Sequence, residues 1–170
     1  MAGTFQQSLN YDYAFGVVGE IMRDGPLRAH QGYINTTNPA NNVFGRVFTL
    51  NPDGKTVGAG GTGAIWGILA NPKQHVSLGL STLGPLAPVF ALPNNVTADF
   101  AEFAKIVVAL GGTRAATPGL QLQFAQADGQ ISVPAVVGTP DAGNTLFTCT
   151  VEDYPQPAEA NNQLLVKINL

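Results

Sequence analysis

Charge is scarce in this sequence. Lys, Arg, Asp and Glu make up 11% of the 170 residues, less than half the roughly 25% of an ordinary globular chain. The eight basic residues are scattered and outnumbered by eleven acidic ones, for a formal net charge of −3. That pattern offers nucleic acid no electrostatic footprint, so no nucleic-acid partner is expected. Cysteine is nearly absent: Cys149 stands alone, cannot form an internal disulfide, and reads as a small buried apolar residue. No apolar run approaches the roughly 20 residues of a membrane-spanning helix, so no membrane partner is expected. No basic residue precedes Arg23 and no early apolar run suits a secretory signal, so none is expected. Lys and Glu are rare while Gly (20) and Pro (12) are frequent, which excludes a helical bundle or coiled coil.

What is present is a globular composition. Hydrophobic residues reach 45%, the wrong balance for disorder. A folded chain of this length buries roughly 70% of its unfolded surface, enough for a core without metals or disulfides. The polar surface must come from Asn, Gln, Thr and Ser.

Short alternating runs separated by turn residues predict an all-β fold, a small barrel or sandwich with an extended N-terminal arm. Leu9, Tyr11, Tyr13, Phe15, Val17 and Ile21 share one parity and Asn10, Asp12, Ala14, Gly16 and Glu20 the other, so this segment reads as extended. Residues 23–42 hold turn chemistry in Asp24-Gly25-Pro26 and Asn38-Pro39. The arm and connecting loop are therefore placed at 1–42 and the body at 43–170.

Within the body, 43–50 reads as a strand with Phe44, Phe48 and Leu50 on one face, followed by the turn Asn51-Pro52-Asp53-Gly54. Residues 64–69 and 76–80 read as strands, and Pro85, Pro88 and Pro93 punctuate a loop or edge. Leu120, Leu122 and Phe124 alternate with Gln121 and Gln123, and Asp128-Gly129 turns into Ile131 and Val133, a hairpin signal. Leu164, Val166 and Ile168 mark a closing strand. Residues 97–110 are ambiguous: Asp99, Glu102 and Lys105 at spacing three suit a helix face. The Ile, Val and Phe of 103–110 favour a strand there.

No catalytic constellation is complete. Gly58, Gly60 and Gly63 match the spacing of a dinucleotide loop, but 64–69 reads as a strand where a helix should begin. No acid lies between Asp53 and Asp99 to hold a ribose. Gly79-Leu80-Ser81-Thr82-Leu83 lacks the second glycine of a nucleophile elbow. His30 and His75 have no local carboxylate. Asp99 with Glu102, and Glu152 with Asp153, read as solvated acids. The sequence thus predicts no enzyme, no metal and no cofactor. Asn35-Thr36-Thr37 and Asn95-Val96-Thr97 fit the glycan-acceptor pattern, idle without a secretory signal. Trp66 and the tyrosines leave a sugar platform open, although such residues usually fill a β core.

Several stretches together carry a family resemblance. They are Phe5-Gln6, the arm from Tyr11 to Glu20, Phe44-Gly45-Arg46-Val47-Phe48, and Gly61 to Leu69. Ala116-Thr117-Pro118-Gly119 follows, before the strand 120–126, Asp128-Gly129 and the closing Leu165-Val166-Lys167-Ile168. In this order they resemble the structural cement proteins that decorate tailed-phage capsids. Two stretches depart from that pattern: Tyr13 to Gly16 lacks proline, and Asn71-Pro72-Lys73 stands where the family often ends a strand in His-Arg. The resemblance implies a β-barrel-like body, no catalysis, and a place in the virion on the outer capsid surface. There it would bind the major capsid protein, stabilise its lattice and associate with itself as a dimer or trimer. It makes Phe5, Leu9, Tyr11, Tyr13, Phe15, Val17, Val18 and Ile21 the candidate interface residues. An ordinary first core strand is the competing reading of that segment. Another phage virion module, of tail or baseplate, and a glycan-binding β domain are the competing functions.

Overall fold

The computed structural model describes residues 18–22, 27–71, 91–114, 116–152, 156–157 and 164–169. The expected strand at 76–80, the Pro85 and Pro88 region, His75 and the 79–83 stretch lie outside these residues.

Eleven strands are present among them: β1 Arg28–Tyr33, β2 Val47–Leu50, β3 Val57–Ala59, β4 Ile65–Leu69, β5 Thr97–Phe103, β6 Lys105–Leu110, β7 Gln121–Ala125, β8 Ile131–Ser132, β9 Asn144–Val151, β10 Gln156–Pro157 and β11 Leu164–Asn169. One 3-10 turn, Pro39–Asn41, is capped by the side chain of Asn38. The first sheet runs β1-β5-β4-β2-β3 and the second β10-β11-β9-β7-β8, with β6 also paired to β11. All named strand pairs are antiparallel. Neither sheet closes into a barrel among the described residues, so the body is an all-β sandwich.

The first sheet is covered on both faces, and this explains its burial pattern. Val47, Ile68 and Ala101 point into a core shared with Ile106, Val108, Leu122, Phe124 and Phe147 of the second sheet. Phe48, Leu69 and Phe100 point the other way, into a cluster closed by Ile34, Phe44 and Leu92. Phe48 and Phe100 pack with ring centroids 5.1 Å apart. Consecutive residues of β2 are therefore buried, where a half-exposed strand would alternate. Asn42 ties the covering loops together, donating through Nδ2 to Leu92 O and Asn94 Oδ1, both at 2.9 Å.

The ambiguous stretch 97–110 is two strands, β5 and β6, broken at the buried Ala104. The chain there leaves the first sheet and enters the second. The spacing of Asp99, Glu102 and Lys105 is not a helix face. The strand expected from residue 43 begins at Val47, because Gly45 takes a φ of +76° that ends extended backbone. Phe44 and Phe48 nevertheless share one cluster, with Leu50 packed against it, as their parity implied. The hairpin pairs Gln123 with Ser132 and Phe124 with Ile131. β1 lies within the stretch expected as arm and connecting loop, and pairs along its length with β5.

Candidate functional site

The last residues of the arm region are stitched to this chain's own second sheet. Gly19 N–H donates to Val107 O at 2.8 Å, Val107 N–H to Glu20 O at 3.0 Å, and Met22 N–H to Lys105 O at 2.8 Å. Ile21 bridges Ile106 in antiparallel sense and packs, partly buried, against the shared core. Val18 is half-buried and its Cγ1 fills the space beside Gly45. Residues 18–22 thus occupy the edge of β6 that β11 leaves open. Past Val107 that edge is covered by Gln130, whose Nε2 donates to Ala109 O at 2.7 Å. Val18 and Ile21 are brought together there. Phe5, Leu9, Tyr11, Tyr13, Phe15 and Val17 lie outside the described residues.

A second feature is the loop between β8 and β9, pinned by one carboxylate. Asp141 Oδ1 accepts from Ala135 N–H at 3.0 Å, and Oδ2 accepts from Gln123 Nε2 at 2.8 Å and from Arg114. Asp141 N–H donates back to Gln123 Oε1 at 2.8 Å, and Arg114 Nη1 reaches Val133 O at 2.9 Å. The Arg114 guanidinium, then Gln123 and the Ala135 amide, hold the Asp141 carboxyl down at about 2. Gln123 is fully buried. Its alternation with Leu122 and Phe124 sets it on the opposite face of β7, but that face is covered by this loop.

A third cluster sits at the β1–β5–β4 end of the first sheet. Glu102 Oε1 takes Arg28, and Oε2 lies 3.3 Å from His30 Nδ1. His30 meets Trp66 edge to face at 4.7 Å. The fold thus supplies His30 with a carboxylate that no sequence neighbour provides. Glu102 is shared with an arginine, and the indole edge of Trp66 is packed against His30 and Gly32. Trp66 is therefore a wall residue of this cluster, packed on His30. Beside it, a cleft of about 180 Å³ opens between the sheets, lined by Val47, Ile65, Trp66, Ala101 and Phe147. Among the described residues no group of three or more His, Cys, Asp or Glu could hold a metal ion. Cys149 is buried in the shared core, which pushes its thiol up.

The glycine-rich stretch is a seam. Gly60 has a φ of +72°, and Gly60 N–H donates to Val47 O at 2.9 Å while Gly61 N–H donates to Gln126 O at 2.6 Å. Val47 N–H in turn donates to Gly129 O at 3.0 Å. Gly63 approaches Leu50 O too closely for any side chain. These amides are spent on the protein's own carbonyls, which leaves no cradle for a phosphate.

Residues 5–170 match a family described as structural cement protein (E217 gp24/Pam3 gp6). The chain belongs to this family. Among solved structures, the cement-family fold seen here is similar to a chain from the capsid of Myoviridae phage XM1. That chain is 16% identical, with 96% of each chain covered and a TM-score of 0.62. At that identity the likeness is one of fold. No curated protein matches. The cement-family match reaches back to Phe5 and so takes in the segment expected as an arm as well as the two sheets.

Sequence reasoning singled out the period-two segment 5–21 as a candidate arm, of which only 18–21 lie among the described residues. It missed the loop that Asp141 pins, because no local pattern links Arg114, Gln123 and Asp141. The available signal is the turn chemistry of Gly138-Thr139-Pro140 before an acid.

Proposed function

We propose that this protein is a structural cement protein of a phage virion that binds the capsid lattice and stabilises its major capsid protein. The observation that carries this reading is the family match across residues 5–170. The protein acts on the outer surface of the capsid, as a dimer or trimer, through contacts and not through catalysis. It needs no nucleic acid and no membrane. Weak contacts repeated over a lattice sum to tight occupancy.

The arm residues Phe5, Leu9, Tyr11, Tyr13, Phe15 and Val17 supply one contact. An extended apolar segment can add to the sheet edge of a neighbour, with main-chain bonds giving affinity and alternate side chains giving register. The anchoring of 18–22 on β6 supports this reading, because it fixes where the arm departs from the body. Val18 and Ile21 then set its direction.

The test is assembly of capsids without the protein, followed by addition of purified full-length chain. Electron microscopy should show new density on the outer face at symmetry-related positions, and the decorated particles should resist heat better. Absent density, or density confined to the interior, would overturn the reading.

A further inference from the structure

The β8–β9 loop carries the most exposed large apolar side chains among the described residues, Val136 at 63% and Val137 at 69%. From Ser132 to Pro140 it has no charged residue. Its tip is a tight turn in which Thr139 N–H donates to Val136 O at 3.0 Å and Gly138 takes a φ of +78°. A positive φ at the third turn position suits glycine. Below the tip, the Asp141 network holds both sides of the loop: Val133 and Ala135 on the way out, Asp141 on the return. Arg114 neutralises Asp141 there, so the base adds no net charge.

Adjacent apolar residues on a rigid, uncharged tip suit binding. The ordering cost that a mobile loop would meet on association has been met in folding. We infer that Val136 and Val137 form an apolar plug that seats in an uncharged depression of the capsid lattice. This inference rests on the capsid-binding reading above and adds a contact separate from the arm. A second copy of the chain is the other protein surface a virion offers, and it fits worse. Tip-to-tip contact would bury two valines a side, far below the roughly 800 Å² per partner of a stable interface. Tip-to-elsewhere contact is heterologous and, wherever its rotation does not close a ring, would propagate the free protein into open chains. A lattice partner avoids both difficulties, since other contacts supply the remaining area and the sites are many.

Capsids assembled without the protein are titrated with wild type and with the double variant Val136→Thr/Val137→Thr, while melting and sedimentation of the free proteins are recorded. The variant should melt and sediment as wild type does, yet bind capsids at least about tenfold more weakly, since burying two valines is worth that or more. Val136→Ala/Val137→Ala carries the same expectation should the threonine pair fail to fold. Wild-type affinity in a folded variant would sink the plug and leave the capsid reading standing. A changed sedimentation state would assign the tip to self-contact and overturn the plug. Failure of wild type itself to bind would overturn the capsid reading and the plug with it.

Discussion

Gly60 and Gly129 meet backbone to backbone where the two sheets join: a Cβ on Gly60 would stand 2.8 Å from Gly129 N and 2.5 Å from Gln126 O. Both residues have positive φ, +72° and +75°. A side chain at Gly60 therefore faces backbone strain and a backbone clash together. Gly60→Ala should destabilise the protein by about 2 kcal/mol or more, of which about 1–2 is the cost of the left-handed conformation. Gly119 separates the two terms, because it has a φ of +82° and nothing within 4 Å of its Cβ position. Gly119→Ala should cost only the conformational part. Urea midpoints of both variants, at unchanged slope, check this. Equal losses would mean that the seam tolerates a methyl group.

The acid limb of stability should carry a contribution from Asp141. Its carboxyl is held at about 2 in the folded protein against an ordinary 3.8. The sign follows directly: the contribution is present above the ordinary value and is lost as pH falls toward the folded one. Melting temperatures taken across that window should fall more for wild type than for Asp141→Asn. Parallel curves would show that the Arg114–Asp141 pair contributes nothing to folding.

Cys149 offers a check on the shared core. It is buried between Phe147 and Val151 on the inner face of β9, and burial pushes its thiol up. The native protein should therefore resist thiol alkylation at neutral pH and react only when unfolded. Cys149→Ser should cost about 1–3 kcal/mol by burying a hydroxyl in apolar surroundings. Rapid labelling of the native protein would contradict this placement.

The parts of the fold that the sequence disclosed are those where local pattern and strand pairing agree. In 121–125 and 131–132 the alternation, the Asp-Gly turn and the observed pairing coincide. β4 reads as an apolar run because the first sheet is covered on both faces. β1 gave no signal, since its one buried residue is Gly32, whose missing side chain makes room for Trp66 and Phe100. β3 is three residues long and holds a glycine, too little to show a period. The break at Ala104 is invisible locally, because what ends β5 there is the passage of the chain between sheets. The same limit applies to function. The period of residues 9–21, from which the arm is proposed, is legible. Val136 and Val137 matter through exposure on a pinned loop, which depends on Arg114, Gln123 and Asp141 meeting from three separate segments.

The arm reading separates binding from folding, and Ile21 now provides the internal control. Ile21 packs against the shared core and bridges Ile106, so Ile21→Ala should remove buried methyl groups and lower the stability of the free protein. A partly buried site should lose about 1–2 kcal/mol, below the 2–5 of a fully buried isoleucine. Tyr13 and Phe15 stand upstream of the anchored stretch and are proposed to bury their rings on a neighbouring subunit. Tyr13→Ala/Phe15→Ala should melt as wild type does while failing to occupy capsids, because truncated aromatic anchors typically cost about 2 kcal/mol or more each in binding. Melting of the free protein and capsid occupancy are measured side by side for both variants. If residues 5–17 formed an ordinary first core strand, the aromatic double variant would melt early, as Ile21→Ala does. Early melting of that variant, or full occupancy at normal melting, would return the arm to the body of the protein.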